Sequence, residues 1–337
     1  MTGTLSAVQS LHKGDDLIVV SDVTKTFDDV TAVDGIRFTV TSGELFGFLG
    51  PNGAWKTTTI TMLTGLARPD RGSIRIAGLD VTRDTKSAQH LIGVVPDESN
   101  LYPELTGFDN LCFCASLYGM EKGARRARAA ALLETFGLDE AAERKFAVYS
   151  KGMKRKLTIA AGIIHAPSIL FLDEPTTGID VASARLIREI VADLHRQGTT
   201  IFLTTHYIEE AERLCDRIAF IVKGRLVAMD TVEHLVAPVK NQYVMELTVT
   251  NAGESIVTVL AAAFSSWDVT ISSPGRIRVE AAEPIGVGPL VRIIEEHGGE
   301  VMEARRLRPS LEDVFVRVTG IEADAMKKEK EKRGGGA

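Results

Sequence analysis

The chain has 337 residues, 45% of them hydrophobic and 25% charged, and a formal net charge of −6. That length favours two domains, each large enough to bury its own core, and the acidic balance disfavours nucleic acid as a bulk partner. Three cysteines are too few for a disulfide framework and point to a reducing compartment.

Residues 1–16 read as a loose extension that lacks the basic segment and apolar core of a signal peptide. Residues 17–27 and 36–40 alternate in strand fashion about an Asp28-Asp29 turn, an antiparallel flap. Phe27, at the end of that flap, is placed either to stack on a base or to join the core. Residues 44–49 read as a short buried strand and residues 56–66 as a helix. Between them Gly50-Pro51-Asn52-Gly53-Ala54-Trp55-Lys56-Thr57-Thr58 is one residue away from the P-loop G-x-x-x-x-G-K-[ST]. In that motif backbone N–H groups cradle phosphates, a lysine reaches the β- and γ-phosphates, and a hydroxyl binds Mg²⁺. A glycine-rich turn there points the positive end of a helix at an anion. The odd residue is Trp55, where the motif asks for glycine.

Residues 72–78 read as a strand and turn, and residues 91–96 as an apolar strand stopped by Pro96, with Asp97-Glu98-Ser99-Asn100 after it. Residues 106–147 are helical in pattern, with Lys122-Gly123-Ala124-Arg125-Arg126 as a charged interruption; this is a helical insertion between strands. Cys112 and Cys114 in it have no second pair of cysteines or histidines at metal-ligand spacing, and read as core or helix residues. Ser150 is a good N-cap for a helix that places Met153, Leu157, Ala161 and Ile164 on one face. Lys151, Lys154, Arg155 and Lys156 oppose the dipole of that helix, each at a few tenths of a kcal/mol. They fit a helix end that faces an anion, or a solvated basic face.

The longest apolar stretch, residues 157–172, is broken by His165 and Pro167, short of the roughly 18 to 20 residues that span a bilayer. The expected location is therefore cytosolic, with any membrane part on another polypeptide. Residues 168–175 form an apolar run ending in Asp173-Glu174-Pro175, the signature of a strand buried on both faces of a parallel sheet. Ligands of such sheets bind at the carboxyl ends of the strands. Residues 199–205 make a similar strand that ends at His206, and residues 217–230 a hairpin about Lys223-Gly224. Near Pro238 the character changes. Residues 243–307 follow the order βαββαβ of a small ferredoxin-like unit, and Ser310-Leu311-Glu312-Asp313 starts a capped helix. The tail is charged and then glycine-rich.

In this order and at these distances the near-P-loop, the serine-capped basic helix, the strand ending Asp-Glu and the strand ending in histidine resemble the nucleotide-binding subunits of ABC transporters, over residues 17–238. The likeness is nearest to drug-export ATPases of the daunorubicin-resistance kind, which carry Tyr-Ser-Lys-Gly-Met, here residues 149–153, and a Leu-Glu-Asp-Val-Phe-like helix, here residues 311–315. The resemblance implies an α/β P-loop NTPase with an antiparallel β flap and a helical insertion, plus a small α+β ferredoxin-like C-terminal domain. The corresponding divisions are residues 1–16, 17–238, 239–320 and a disordered 321–337.

It also implies roles. The turn from Gly50, Pro51, Asn52, Gly53 and Ala54 through Trp55 to Thr58 would hold the phosphates of ATP, with Lys56 on β and γ. Thr57, Asp173 and Asp97 would bind Mg²⁺. Glu174 would polarise the attacking water, His206 would hold the γ-phosphate and orient that water, and Phe27 would stack on adenine. Ser150 and Gly152 would complete the ATP site of a second copy, and Asp180 would lie in the loop that crosses between the two. Residues 97–101 would face a separate membrane permease, placing the chain on the cytoplasmic face of the membrane. Phosphoryl transfer to water needs charge neutralisation and a positioned nucleophile more than covalent chemistry, and these residue types supply both.

Two positions depart from the family pattern. A tryptophan in place of the P-loop glycine costs about 1–2 kcal/mol if φ must be positive. Displacing a phosphate donor adds roughly 1–3 kcal/mol. ATP binding is therefore expected to be about 10² to 10³ weaker, unless the indole swings outward and the amide stays in place. Asp97 stands where the family has glutamine; it can ligate Mg²⁺ but not donate a hydrogen bond. Competing readings are a non-hydrolysing nucleotide-binding regulator and a soluble ABC protein acting on nucleic acid or ribosomes. The latter kind has two cassettes or long coiled coils, which this chain lacks.

Overall fold

The structure, a computed structural model, describes residues 14–240, 242–250, 254–307 and 310–321. The expected extension before residue 14 and the tail after residue 321 lie outside the described residues. In the first of two compact units, strands β1 (Asp16–Phe27) and β2 (Val30–Thr41) pair antiparallel, as the alternation of their residues requires. Strand β3 (Leu45–Leu49) then leads into helix α1 (Lys56–Leu63). The chain returns through β4 (Arg71–Ile76) and β5 (Leu79–Asp80) to complete a four-stranded sheet of order β2-β1-β4-β5. The flap thus gains two strands from beyond the P-loop.

Helix α2 (Thr85–Gln89) and strand β6 (Ile92–Val95) precede the helical insertion. There α3 (Gly107–Leu117) is capped by Thr106, whose hydroxyl accepts from the Asp109 amide. The charged stretch at 122–126, expected to interrupt the insertion, is instead the start of α4 (Lys122–Thr135). The break lies just before it. Gly119 takes φ 76°, and the Met120 amide turns back to Ala115 O, which ends α3. Alanine and arginine are strong helix formers and carry the next turn.

Next come α5 (Lys151–Gly162), β7 (Ile169–Asp173), α6 (Val181–Arg196), β8 (Thr200–Thr205), α7 (Ile208–Leu214), β9 (Arg217–Val222) and β10 (Arg225–Thr231). The second sheet has the order β10-β9-β3-β8-β7-β6. β3, β7 and β8 are buried at every position and pair parallel, as continuous apolar runs do when helices cover both faces. β10 is antiparallel to β9, through a turn in which Lys223 and Gly224 both take positive φ. Phe38 of the flap packs on Phe46, Phe48 and Phe202 of this sheet at centroid distances of 5.5, 5.8 and 6.0 Å. Each such ring contributes about 1.5–3 kcal/mol by burial.

The second unit begins at Val232, with helix α8 (Val232–Lys240), so Pro238 falls inside a helix rather than at the division. It continues as β11 (Tyr243–Thr250), α9 (Glu254–Ala263), β12 (Asp268–Ser273), β13 (Arg276–Ala281), α10 (Val287–Glu296), β14 (Glu300–Leu307) and α11 (Leu311–Thr319). The strands are antiparallel neighbours in the order β12-β13-β11-β14. Leu247, Leu260, Ile277, Val279, Leu290 and Ile294 form its core. Ser310 and Asp313 make the reciprocal cap of α11, and Arg278 reaches Asp313 from β13.

Candidate functional site

β3 delivers the chain to the turn at 50–55, and α1 departs from it. Gly50 is required here by space: a Cβ would lie 2.2 Å from Ile221 O. Trp55 holds φ 68° and ψ 31° at the start of α1, the left-handed conformation that glycine tolerates and a bulky residue resists. The turn has kept its backbone shape with a tryptophan in it. The Asn52 side-chain amide nitrogen is buried without a hydrogen-bond partner, a donor left for a ligand. Pro51 and Asn52 are half-buried, Gly53 exposed, Ala54 buried and Thr58 half-buried.

Lys56 is buried and turned back on its own loop. Its ammonium donates to Gly50 O at 2.7 Å and Pro51 O at 3.1 Å and lies 3.1 Å from Glu174 Oε1, an ion pair without hydrogen-bond alignment. Thr57 Oγ1 donates to Asp173 Oδ2 at 2.8 Å, and Thr204 donates to the other oxygen of Asp173. Burial raises the Asp173 pKa, against the pull of those two hydroxyls.

Glu174 follows β7 directly and takes φ 50°, a strained conformation for a side chain of this size. Its Oε2 lies 2.7 Å from His206 Nδ1 and accepts from Thr177 Oγ1 at 2.9 Å. An ionised carboxylate only accepts, so His206 Nδ1 carries the proton. Burial pushes the Glu174 pKa up, but His206, Lys56 and Thr177 outweigh it and bring it down to about 2.

Lys56, Thr57, Asp173, Glu174 and His206 therefore form one cluster at the carboxyl ends of β3, β7 and β8. Phe27 lies beside Trp55 with ring centroids 6.3 Å apart. Asp97 is exposed just beyond β6, and its carbonyl accepts from Arg155 Nη1 at 3.2 Å. Ser150, Gly152 and Asp180 make a second group. Ser150 caps α5 by accepting from the Met153 amide at 3.2 Å. A Cβ on Gly152 would sit 2.3 Å from Ser183 Oγ and 3.1 Å from Asp180 Oδ2. Asp180 caps α6 through the Ser183 amide at 2.8 Å, a bond that lowers its pKa.

Arg155 differs from the sequence reading. It is no part of a basic surface: it is 7% exposed and its guanidinium donates to Pro175 O at 2.9 Å, Asp173 O at 2.6 Å, Asp97 O and Pro96 O. One side chain thus ties the Asp97 turn to the strand end that carries Asp173 and Glu174. Its spacing from buried Thr158 and Gly162 on α5 is the only signal in the sequence. Thr204 and Thr177, which hold Asp173 and Glu174, were likewise not singled out, because a threonine in a strand or turn carries no chemical signature.

The cluster has the make-up of a phosphate site, with a lysine and a helix end for anions, a hydroxyl and carboxylate for a cation, and a carboxylate–histidine pair for water. Comparison with known proteins agrees. Residues 33–177 match the family described as ABC transporter. The chain is 38% identical to the linearmycin resistance ATP-binding protein LnrL of Bacillus subtilis, over 90% of this chain and 98% of that one. It is 38% identical to the daunorubicin/doxorubicin resistance ATP-binding protein DrrA of Streptomyces peucetius, over 91% of this chain and 93% of that one. A solved ATP-binding subunit of an ABC transporter superposes with TM-score 0.62 at 30% identity, covering 66% of this chain and 93% of that one. A dimeric ATP-binding cassette bound to ADP and Pi shares the fold, with TM-score 0.60 at 24% identity, covering 64% of this chain and 98% of that one. Fold, cluster and likeness over nearly the full length of those relatives agree: the chain belongs to the ABC transporter family, as an ATP-binding subunit of the ATPase class.

Proposed function

We propose that this chain hydrolyses ATP to drive drug export through a separate membrane permease, as a head-to-tail pair with a second copy of itself, and that Trp55 weakens its nucleotide binding. The observation that carries the reading is the Lys56–Glu174–His206 cluster abutting Thr57 and Asp173. Phosphates arriving at the turn would draw Lys56 away from Glu174. Losing that cation makes Glu174 more basic, which suits a group that must polarise water, while His206 keeps it oriented.

Mg²⁺ fits the donor set. Thr57 and Asp173 offer oxygen ligands only, already 2.8 Å apart, and no group of three or more His, Cys, Asp or Glu able to hold a metal exists among the described residues. One or two protein oxygens completed by phosphates and water is how Mg²⁺ usually binds. The ion would neutralise charge on the phosphates; Thr57 and Asp173 would hold it, with Asp97 near by.

Ser150, Gly152 and Asp180 gather among themselves, which supports a role toward a second copy. The membrane partner has a surface available. A groove of about 470 Å³ is lined by Pro96, Asn100, Leu66, Leu117 and Tyr118, and Tyr102 and Phe113, edge-on to each other, are exposed. No described helix is long and apolar enough to cross a membrane.

The test is Mg²⁺-ATP turnover of the full chain, its Trp55→Gly variant and the Trp55→Gly/Glu174→Gln double variant. Turnover that rises at least tenfold on the first change and disappears on the second is expected. Equal turnover in all three would remove Glu174 from the chemistry and overturn the reading.

A further inference from the structure

Phe27 ends β1 and is 45% exposed. Lys25 Nζ lies over its ring, 5.3 Å from the centre. Trp55 comes to the same ring from the other side of the sequence gap, at the mouth of the phosphate turn, with planes 28° apart and centroids 6.3 Å apart. The indole is also half-buried against the core that joins flap and central sheet. It is therefore held, neither swung out into solvent nor folded into the turn.

An exposed aromatic ring with a cation beside it, at the rim of an anion-binding turn, is a stacking surface for a nucleotide base. Here that surface already has a ring on it. A base slipped between Phe27 and the indole needs two stacking gaps of about 3.4 Å each, roughly 6.8 Å in all, more than the 6.3 Å present. We infer that Trp55 stands in for the base: its indole occupies the Phe27 platform from within the chain, so the site recognises its ligand through the phosphates and discriminates little between bases.

This inference rests on the phosphate site proposed above and adds a specificity to it. Base–aromatic stacking is worth about tenfold to a hundredfold in affinity, and that is the part of ATP recognition the indole removes. Asn52, Lys56 and Thr57 remain available to phosphates.

Equilibrium binding of ATP, GTP and tripolyphosphate, each with Mg²⁺, to the full chain and to its Trp55→Gly variant tests the inference. Glycine suits the positive φ at this position, so the variant is expected to fold. The parent chain should bind the three ligands within about threefold of one another, and the variant should prefer ATP to tripolyphosphate by at least tenfold. A parent that already prefers ATP tenfold overturns the inference, as does a variant that gains equally for all three ligands, which confines Trp55 to the phosphates and leaves the proposed function standing. Failure of both chains to bind any of the three ligands overturns the phosphate site itself. In a Trp267→Phe background, Phe27→Ala should shift indole emission to the red and raise its quenching by acrylamide. Unchanged emission would show that the two rings do not meet.

Discussion

Glu174 is held by charge and strain together. Its carboxylate is almost fully buried, yet it stays ionised because Lys56 and His206 flank it. Its folded pKa of about 2 lies below the ordinary 4.5, so the stability it contributes is present above pH 4.5 and is lost as pH falls from 4.5 towards 2. That contribution is on the order of 3 kcal/mol. Glu174→Gln should therefore flatten the acid limb of the stability curve in that window, measured by urea unfolding at several pH values. The same variant should retain ATP binding while losing turnover more than a hundredfold.

Phe27 and Trp55 mark where single residues stop being legible in a sequence. The positive φ at Trp55 follows from the motif, because a P-loop needs it. The stack on Phe27 does not, since 28 positions and two whole strands separate the two, and only the fold decides which ring meets which.

Among the elements, α5 does more than its pattern suggests. Its Ser150 cap and its apolar face are local features and are readable in the sequence. The four carbonyls that Arg155 binds come from a turn after β6 and from the end of β7, both remote in sequence, so its charge alone suggests a surface. Arg155→Met should cost about 3 kcal/mol or more, because buried acceptors at Asp173, Pro175, Pro96 and Asp97 lose their donor. Arg155→Lys should recover only part, lacking the planar fork. Thermal unfolding of both variants measures this. The runs at β7 and β8 are legible for a different reason: Ile169 to Leu172 and Ile201 to Leu203 are apolar throughout, as burial on both faces favours, and the polar residues stand at the strand ends.

The turn between α5 and β7 carries a second titrating group. His165 Nε2 donates to Ile92 O at 3.0 Å, and the ring stacks on Tyr118 at 3.5 Å, with His90 edge-on to that tyrosine. Burial lowers its pKa to about 4, against the pull of the Ile92 carbonyl. The unfolded chain takes up this proton more readily, so stability falls as pH drops from 6.5 towards 4. His165→Phe should show a shallower fall across that window, with the melting temperature as the readout.

At the scale of the whole molecule, the two groups of signature residues set the expected assembly. Under the proposed function, Ser150, Gly152 and Asp180, the last two drawn together around Ser183, would serve the phosphate turn of a second copy. Sedimentation of a Trp55→Gly/Glu174→Gln chain should show a monomer that becomes a dimer on adding Mg²⁺-ATP; a Ser150→Arg change on that background should abolish the dimer. The change in pattern near Pro238 falls inside helix α8. Helix α8 continues through that proline because its apolar residues Leu235 and Val239 are buried.

The position of Lys56 bears on how such proteins are studied. Replacing the lysine of a phosphate turn is a common way to make an inert control. In this chain the ammonium also lies 3.1 Å from Glu174 Oε1 and, together with His206, keeps that buried carboxylate ionised. Removing the ammonium leaves His206 and Thr177 alone against the burial of Glu174, so the pKa of that carboxyl will rise or the strand end will loosen. A Lys56→Ala chain is thus a different resting protein, and its silence in an ATPase assay would say as much about the state it rests in as about the ligand it fails to hold.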